Sequence, residues 1–201
     1  MENPTPAQIE GKQLDLQSER TLTNENESKA FFQIVKKRLL NVYEWYHIAK
    51  VPAATFALTN HEGSELVRKM QEGDFLRIDI PGPGSPKGNG HDWVKVDKIV
   101  EDNERGEELF SITLRPTSNP ENDDAEVAHF FTKMATSTLL VRRQNTKVIV
   151  EYHGRNELIN TDSSDLSDKI RNFLVGLGAK AGLSFSQWKS LIEGLIDPER
   201  D

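Results

Sequence analysis

Apolar residues recur along this chain with two different periods. Phe32, Val35, Leu39, Val42, Tyr46 and Ala49 follow one another at intervals of three, four, three, four and three, which is one face of an α-helix. Asn24 and Glu27 precede that stripe at the spacing of a capping box, and Pro52 closes it. Lys36, Lys37 and Arg38 fall mostly on the opposite side. The pattern predicts a helix over residues 25–50 with its apolar side on a sheet.

From residue 53 onward the period shortens to two. Leu76, Ile78 and Ile80 alternate with Arg77 and Asp79, and Val94 and Val96 alternate with Lys95 and Asp97. Gln71 to Asp74 reads as a tight turn between strands at Glu65–Met70 and Asp74–Ile80. A second hairpin is expected around Gln144 and Asn145, between Thr136–Arg143 and Thr146–His153. Short strands with a turn roughly every ten residues predict a β-rich core over 53–160. The expected form is an antiparallel sheet curling into a small SH3-like or other barrel.

The C-terminal stretch returns to the helical period. Leu166, Ile170, Phe173, Leu174 and Leu177 share one face, with Asp162, Ser163 and Ser164 as candidate caps. The Gly176–Leu177–Gly178 step weakens that helix, and Gly182 is a candidate C′ residue at its end. Ser184 with Gln187 has capping-box spacing, Leu183 and Trp188 have staple spacing, and Leu191, Ile192, Leu195 and Ile196 continue the stripe. A helical hairpin over 163–197 is predicted. Residues 1–24 are polar and carry Pro4 and Pro6, so they read as a flexible arm. The expectation is one α+β domain over 25–201, with the sheet flanked by the N-terminal helix and the C-terminal hairpin.

Composition narrows the chemistry. The chain has 201 residues, 36% hydrophobic and 28% charged, with a net charge of −7 and no cysteine. Disulfides, cysteine nucleophiles and thiolate metal sites are therefore excluded. The acidic balance does not drive the chain onto nucleic acid. The C-terminal helix pair has the outline of a DNA reader, but its second helix offers only Lys189 as a base, beside Glu193. The longest uncharged apolar run, from Val51 to Asn60, is too short to cross a bilayer. No basic, then apolar, leader opens the sequence, so a cytoplasmic protein without membrane contact is expected.

The stretch DIPGPGSPKGNGHDW, Asp79 to Trp93, is the densest in glycine and proline. It fails as a phosphate loop. Position 87 is lysine where a third glycine is needed, Pro83 and Pro86 remove backbone donors, and alternating β-sequence follows instead of a helix. It reads as a stiff connector that carries His91 and Asp92 to one end of the sheet.

His91, Asp92, His129 and the segment His153-Gly154-Arg155-Asn156-Glu157 hold the candidate chemistry. If these segments converge, His91, Asp92, His153, Arg155 and Glu157 form a candidate catalytic set, and His91, His129 and His153 a candidate metal set. None has local ligand spacing such as H-E-x-x-H. Asp123, Asp124 and Glu126 lack EF-hand order, no nucleophile elbow is present, and no cofactor is implied.

GDFLRIDIPGPGSPKGNGHDWVKV, EVAHFFTKMATSTLLVRR, YHGRNELINT and the ending AGLSFSQWKSLIEGL resemble a family of uncharacterised Bacteroidetes proteins. The resemblance implies a bacterial source and supplies no site residue. The resulting expectation is a non-enzymatic binding or assembly module acting through a protein partner or self-association. The alternative is a metal-assisted hydrolase.

Overall fold

The computed structural model describes the chain except residues 1–2, 52–53, 82–84, 105, 124, 161–167 and 200–201, with the backbone alone for 168–181. Seven strands and three α-helices alternate as β1 (Lys12–Thr21), α1 (Glu25–Leu40), α2 (Trp45–Ile48), β2 (Thr55–Thr59), β3 (Phe75–Asp79), β4 (Asp92–Glu104), β5 (Glu107–Pro116), β6 (Thr136–Gln144), β7 (Lys147–Glu157) and α3 (Asp168–Leu195). The architecture is α+β. The strands form one antiparallel sheet in the order β1-β7-β6-β5-β4-β3-β2. It is an open sheet with β1 and β2 as its edges, where a closed barrel was expected.

The expected arm holds a strand of the sheet. Lys12–Thr21 is an edge strand paired along its length with β7. The residues before it are latched by Asn156. Its side-chain oxygen accepts from the backbone N–H groups of Ile9 and Glu10, and its amide donates to the Ala7 carbonyl. Asn156 adopts φ of 55°, a left-handed conformation asparagine tolerates better than most residues.

The predicted first helix divides at Asn41. Its start is as expected, with the Asn24 side chain accepting from the Glu27 N–H at 3.0 Å. After Leu40 a single 3-10 turn at Val42–Glu44 redirects the chain into α2. The bend carries Trp45 to full burial, where its indole N–H donates to the Leu39 carbonyl. Glu65–Met70 is not a strand either, apart from one bridge between Glu65 and Thr59. It is docked by the Met70 N–H on the Leu40 carbonyl and by a two-pronged Arg68–Asp74 ion pair. The true partner of β3 is β2.

The expected C-terminal hairpin is a single helix. α3 passes through Gly176, Gly178 and Gly182 unbroken. Glycine weakens a helix by about 1 kcal/mol relative to alanine, whereas proline breaks one. Ser186 hydroxyl donates back to the Gly182 carbonyl, a bond made inside a continuous helix rather than at a cap. The candidate caps Asp162, Ser163 and Ser164 lie outside the described residues, as does Leu166.

The core lies between the concave face of the sheet and the helices. Strand register puts Leu114, Ser137 and Gly154 in one row across β5, β6 and β7, and Ile112, Leu139 and Tyr152 in the next. Trp188, Leu191, Ile192 and Leu195 of α3 and Phe32, Val35 and Leu39 of α1 cover those rows. Two contacts fix the end of α3. The Arg38 guanidinium donates to the carbonyls of Leu195 and Asp197, satisfying groups a helix terminus leaves open. Gly194 passes so close to Ile48 that any side-chain carbon would overlap its backbone carbonyl. Among the described residues no helix is long and apolar enough to cross a membrane.

Candidate functional site

A partly open cavity separates α3 from the concave face. Its empty space is about 470 Å³, open solvent at the mouth included, and little of it is fully enclosed. Aromatic and aliphatic side chains make most of its wall, among them Phe56, Ile78, Leu114, Phe130, Phe131 and Trp188. The polar side chains on the wall include His129, Ser137 and Gln187. A few polar groups in an apolar wall are the composition of small-molecule sites.

Each polar group is placed by a nearby strand or helix. Gln187 is buried on α3, and its side-chain oxygen accepts from the Ala54 N–H at 2.9 Å. His129 lies on the segment that crosses the end of the sheet. That segment is tied to β4 through the Trp93 N–H on the Ala128 carbonyl and to the end of β7 through the Phe131–Ile159 bridge. The His129 ring stacks on Phe130, and its Nδ1 accepts from the Phe131 N–H, which leaves the proton of a neutral ring on Nε2.

Ser137 joins the cavity to a buried pair behind it. Its hydroxyl lies 3.0 Å from the Tyr152 hydroxyl. Tyr152 is 1% exposed and its ring stacks on Trp188 at 4.9 Å. The Glu157 carboxyl folds back over Gly154 toward the Tyr152 hydroxyl; a side chain at Gly154 would occupy its place. Burial drives the Tyr152 hydroxyl far above the ordinary phenol range, reinforced by the Glu157 charge. Burial also raises the Glu157 carboxyl, against the opposing pull of Lys12, Arg155 and Tyr152.

The convex face of β7 carries a different cluster. His153 stands between two carboxylates, Nδ1 2.6 Å from Asp15 on β1 and Nε2 3.0 Å from Glu151. The Arg155 guanidinium donates to Asp15 at 2.6 Å, and Arg142 approaches Glu151 at 3.9 Å. The hydrogen bond to Glu151 is the main reason His153 is held above its ordinary value; burial opposes it and Asp15 adds to it. Glu151 is held down chiefly by His153, with burial opposing and Arg142 assisting. Partial burial alone would raise Asp15, but hydrogen bonds from His153 and Arg155 outweigh it and keep it low.

The sequence-derived sets are therefore split. His129 faces the cavity on the concave side, while His153 and Arg155 point from the convex side into ion pairs. His129 and His153 do not share a metal site, because one lines the cavity and the other is held between Asp15 and Glu151 on the opposite face. Among the described residues no group of three His, Asp or Glu side chains has metal-binding geometry. His91 ends the glycine-rich loop, its N–H on the Gly88 carbonyl, and Asp92 is buried at the start of β4 opposite Ile78. Pro86–Gly88 forms a 3-10 turn, Asn89 and Gly90 take positive φ, and Gly88 lies against the buried Trp93 ring. Lys87 pairs with Glu126 and links the loop to the acidic segment. None of the catalytic set lines the cavity itself: Glu157 reaches toward Tyr152 behind it, and Asp92 is buried in register with Ile78 of its wall. Ser137, Tyr152 and Trp188 were not singled out for chemistry. The available signal was Gly154, since a glycine inside a strand marks a close approach.

The fold and site define an open antiparallel sheet wrapped about a long helix, with a cavity between them. No protein-family model matches the chain, and no curated protein matches it. Among solved structures it is similar to the hypothetical protein jhp0584 from Helicobacter pylori, with TM-score 0.46, 9% identity, and coverage of 90% of this chain and 86% of that one. It is also similar to Ara h 8.0201, with TM-score 0.38, 10% identity, and 92% and 99% coverage. A norcoclaurine synthase variant from Thalictrum gives TM-score 0.32, 14% identity, and 92% and 98% coverage. None of these likenesses is close enough to lend its chemistry to this chain.

Proposed function

We propose that the protein is a binding module whose ligand is a small, mainly apolar molecule held between α3 and the sheet. The aromatic-lined cavity carries this reading. Its wall combines Phe56, Phe130, Phe131 and Trp188 with few polar atoms, so a ligand gains by leaving water while one polar group fixes its orientation. This favours a small molecule over a protein as the thing bound. It also favours binding over metal-assisted hydrolysis, because the histidines that reaction needs face different ways.

Toluene is a suitable probe. At millimolar concentration it should raise the melting temperature and shift the NMR signal of the Trp188 indole. Ala54→Phe fills the wall and should remove both effects while leaving the far-ultraviolet circular dichroism unchanged. Equal responses in the filled variant, or none in the wild type, refute the reading.

A further inference from the structure

We infer that Ser137 is the polar anchor of the cavity and that it selects apolar ligands carrying a neutral hydroxyl, such as a phenol or an alcohol, which donates its proton to Ser137 Oγ. This rests on the cavity being a ligand site. The inference follows from counting protons along the line from Glu157 to the cavity. The Glu157 carboxyl and the Tyr152 hydroxyl meet over Gly154, and an ionised carboxylate can only accept, so the single proton of the Tyr152 hydroxyl is drawn toward it. The Tyr152 oxygen is then left to accept. Ser137, 3.0 Å away, satisfies it by turning its own proton inward. What Ser137 shows to the cavity is therefore lone pairs.

Two other acceptors on the wall are already engaged. The His129 Nδ1 is engaged by the Phe131 N–H, and the Gln187 side-chain oxygen by the Ala54 N–H. A carbonyl or ether placed against Ser137 would set lone pair against lone pair. An ammonium group would have to leave water for an apolar wall, at a much higher cost than a neutral hydroxyl. Gly154 is the enabling residue, because its missing side chain lets Glu157 reach Tyr152 from the end of the strand. Burial raises Glu157, so the line carries this polarity above that raised value and reverses below it.

Phenol and toluene have the same shape and differ by one hydroxyl, and both can be titrated by ligand-observed NMR at pH 8. Ser137→Ala should weaken phenol about fivefold, the worth of one net hydrogen bond, and leave toluene unchanged. Glu157→Gln keeps the shape but lets an amide donate to Tyr152, which reverses the line; it should weaken phenol similarly and spare toluene. Melting curves of both variants verify that they fold. If toluene binds but Ser137→Ala weakens phenol no more than toluene, the anchor is refuted and the cavity stands. If neither probe binds the wild type, both fall.

Discussion

On the concave face of β7, Glu157 is half-buried beside Tyr152 and its carboxyl is pushed up. On the convex face of the same strand Glu151 is also partly buried, yet its carboxyl is held down. The backbone is shared and the side-chain chemistry is the same. The difference lies in the partner. Glu157 meets a phenol, with the cations Lys12 and Arg155 acting only as charges, and desolvation dominates. Glu151 touches His153 directly and has Arg142 near it, so pairing dominates. A strand that raises one carboxylate by desolvation and lowers another by pairing has separated a dry site from a structural clasp. The clasp ties β1 to β7 through Asp15.

The comparison depends on α3 keeping the concave face dry, so its largest disturbance comes from a residue in neither cluster. Gly194→Ala would drive a methyl group into the Ile48 carbonyl, and backbone cannot move aside as a flexible side chain can. A loss of about 3 kcal/mol is expected, the upper end of overpacking costs. Urea midpoints measure it, and a loss below about 1 kcal/mol would show that α3 can shift without harm. Gly154→Ala is the control, because there the obstructing atoms belong to the movable Glu157 carboxyl.

The next test compares one change on each face. Tyr152→Phe removes the hydroxyl between Ser137 and Glu157 and leaves the half-buried Ser137 hydroxyl short of a partner, at a cost of about 1–3 kcal/mol. His153→Gln breaks a cluster in which Asp15 is 45% exposed, so it should cost about 1 kcal/mol or less. Chemical denaturation ranks the two. Equal costs would mean that the convex clasp is as desolvated as the concave line.

Much of this frame was legible in the sequence, and the failures have physical causes. The β3 segment and the second half of β7 alternate cleanly because one face is apolar. β1 was missed because its inward positions run Leu14, Leu16, Ser18, Arg20, so the alternation fades after two residues. The strand is held instead by register with β7 and by the clasp. α3 was divided because three glycines suggested a turn, while its buried face against the sheet outweighs their cost. Of the site, Glu157 was visible as a charged residue at a strand end. Its turn back over Gly154 was not, because it depends on the left-handed φ of Asn156. His153 was visible, but the face it takes follows from its register opposite Asp15 and Thr138, which no local pattern states.

The smallest expected effect separates the clusters by pH. Glu157 is raised on folding, so its contribution is full below the ordinary glutamate value of about 4.3 and fades as pH rises through the folded value. His153 is also raised, but its contribution is full below about 6.5 and fades only at higher pH. Asp15 and Glu151 are lowered and act in the opposite sense: their contribution is present above about 4 and fades as pH falls through their folded values. Glu157→Gln mimics the neutral acid at every pH, so the stability of the wild type relative to this variant should decline with rising pH, beginning in the acid range. For His153→Gln the decline should begin only near neutrality. Urea midpoints measured from pH 4 to 9 distinguish the two onsets. An advantage of the wild type over Glu157→Gln that grows with pH would mean that Glu157 is stabilised as a carboxylate, and that the two faces of β7 do not differ in the way proposed.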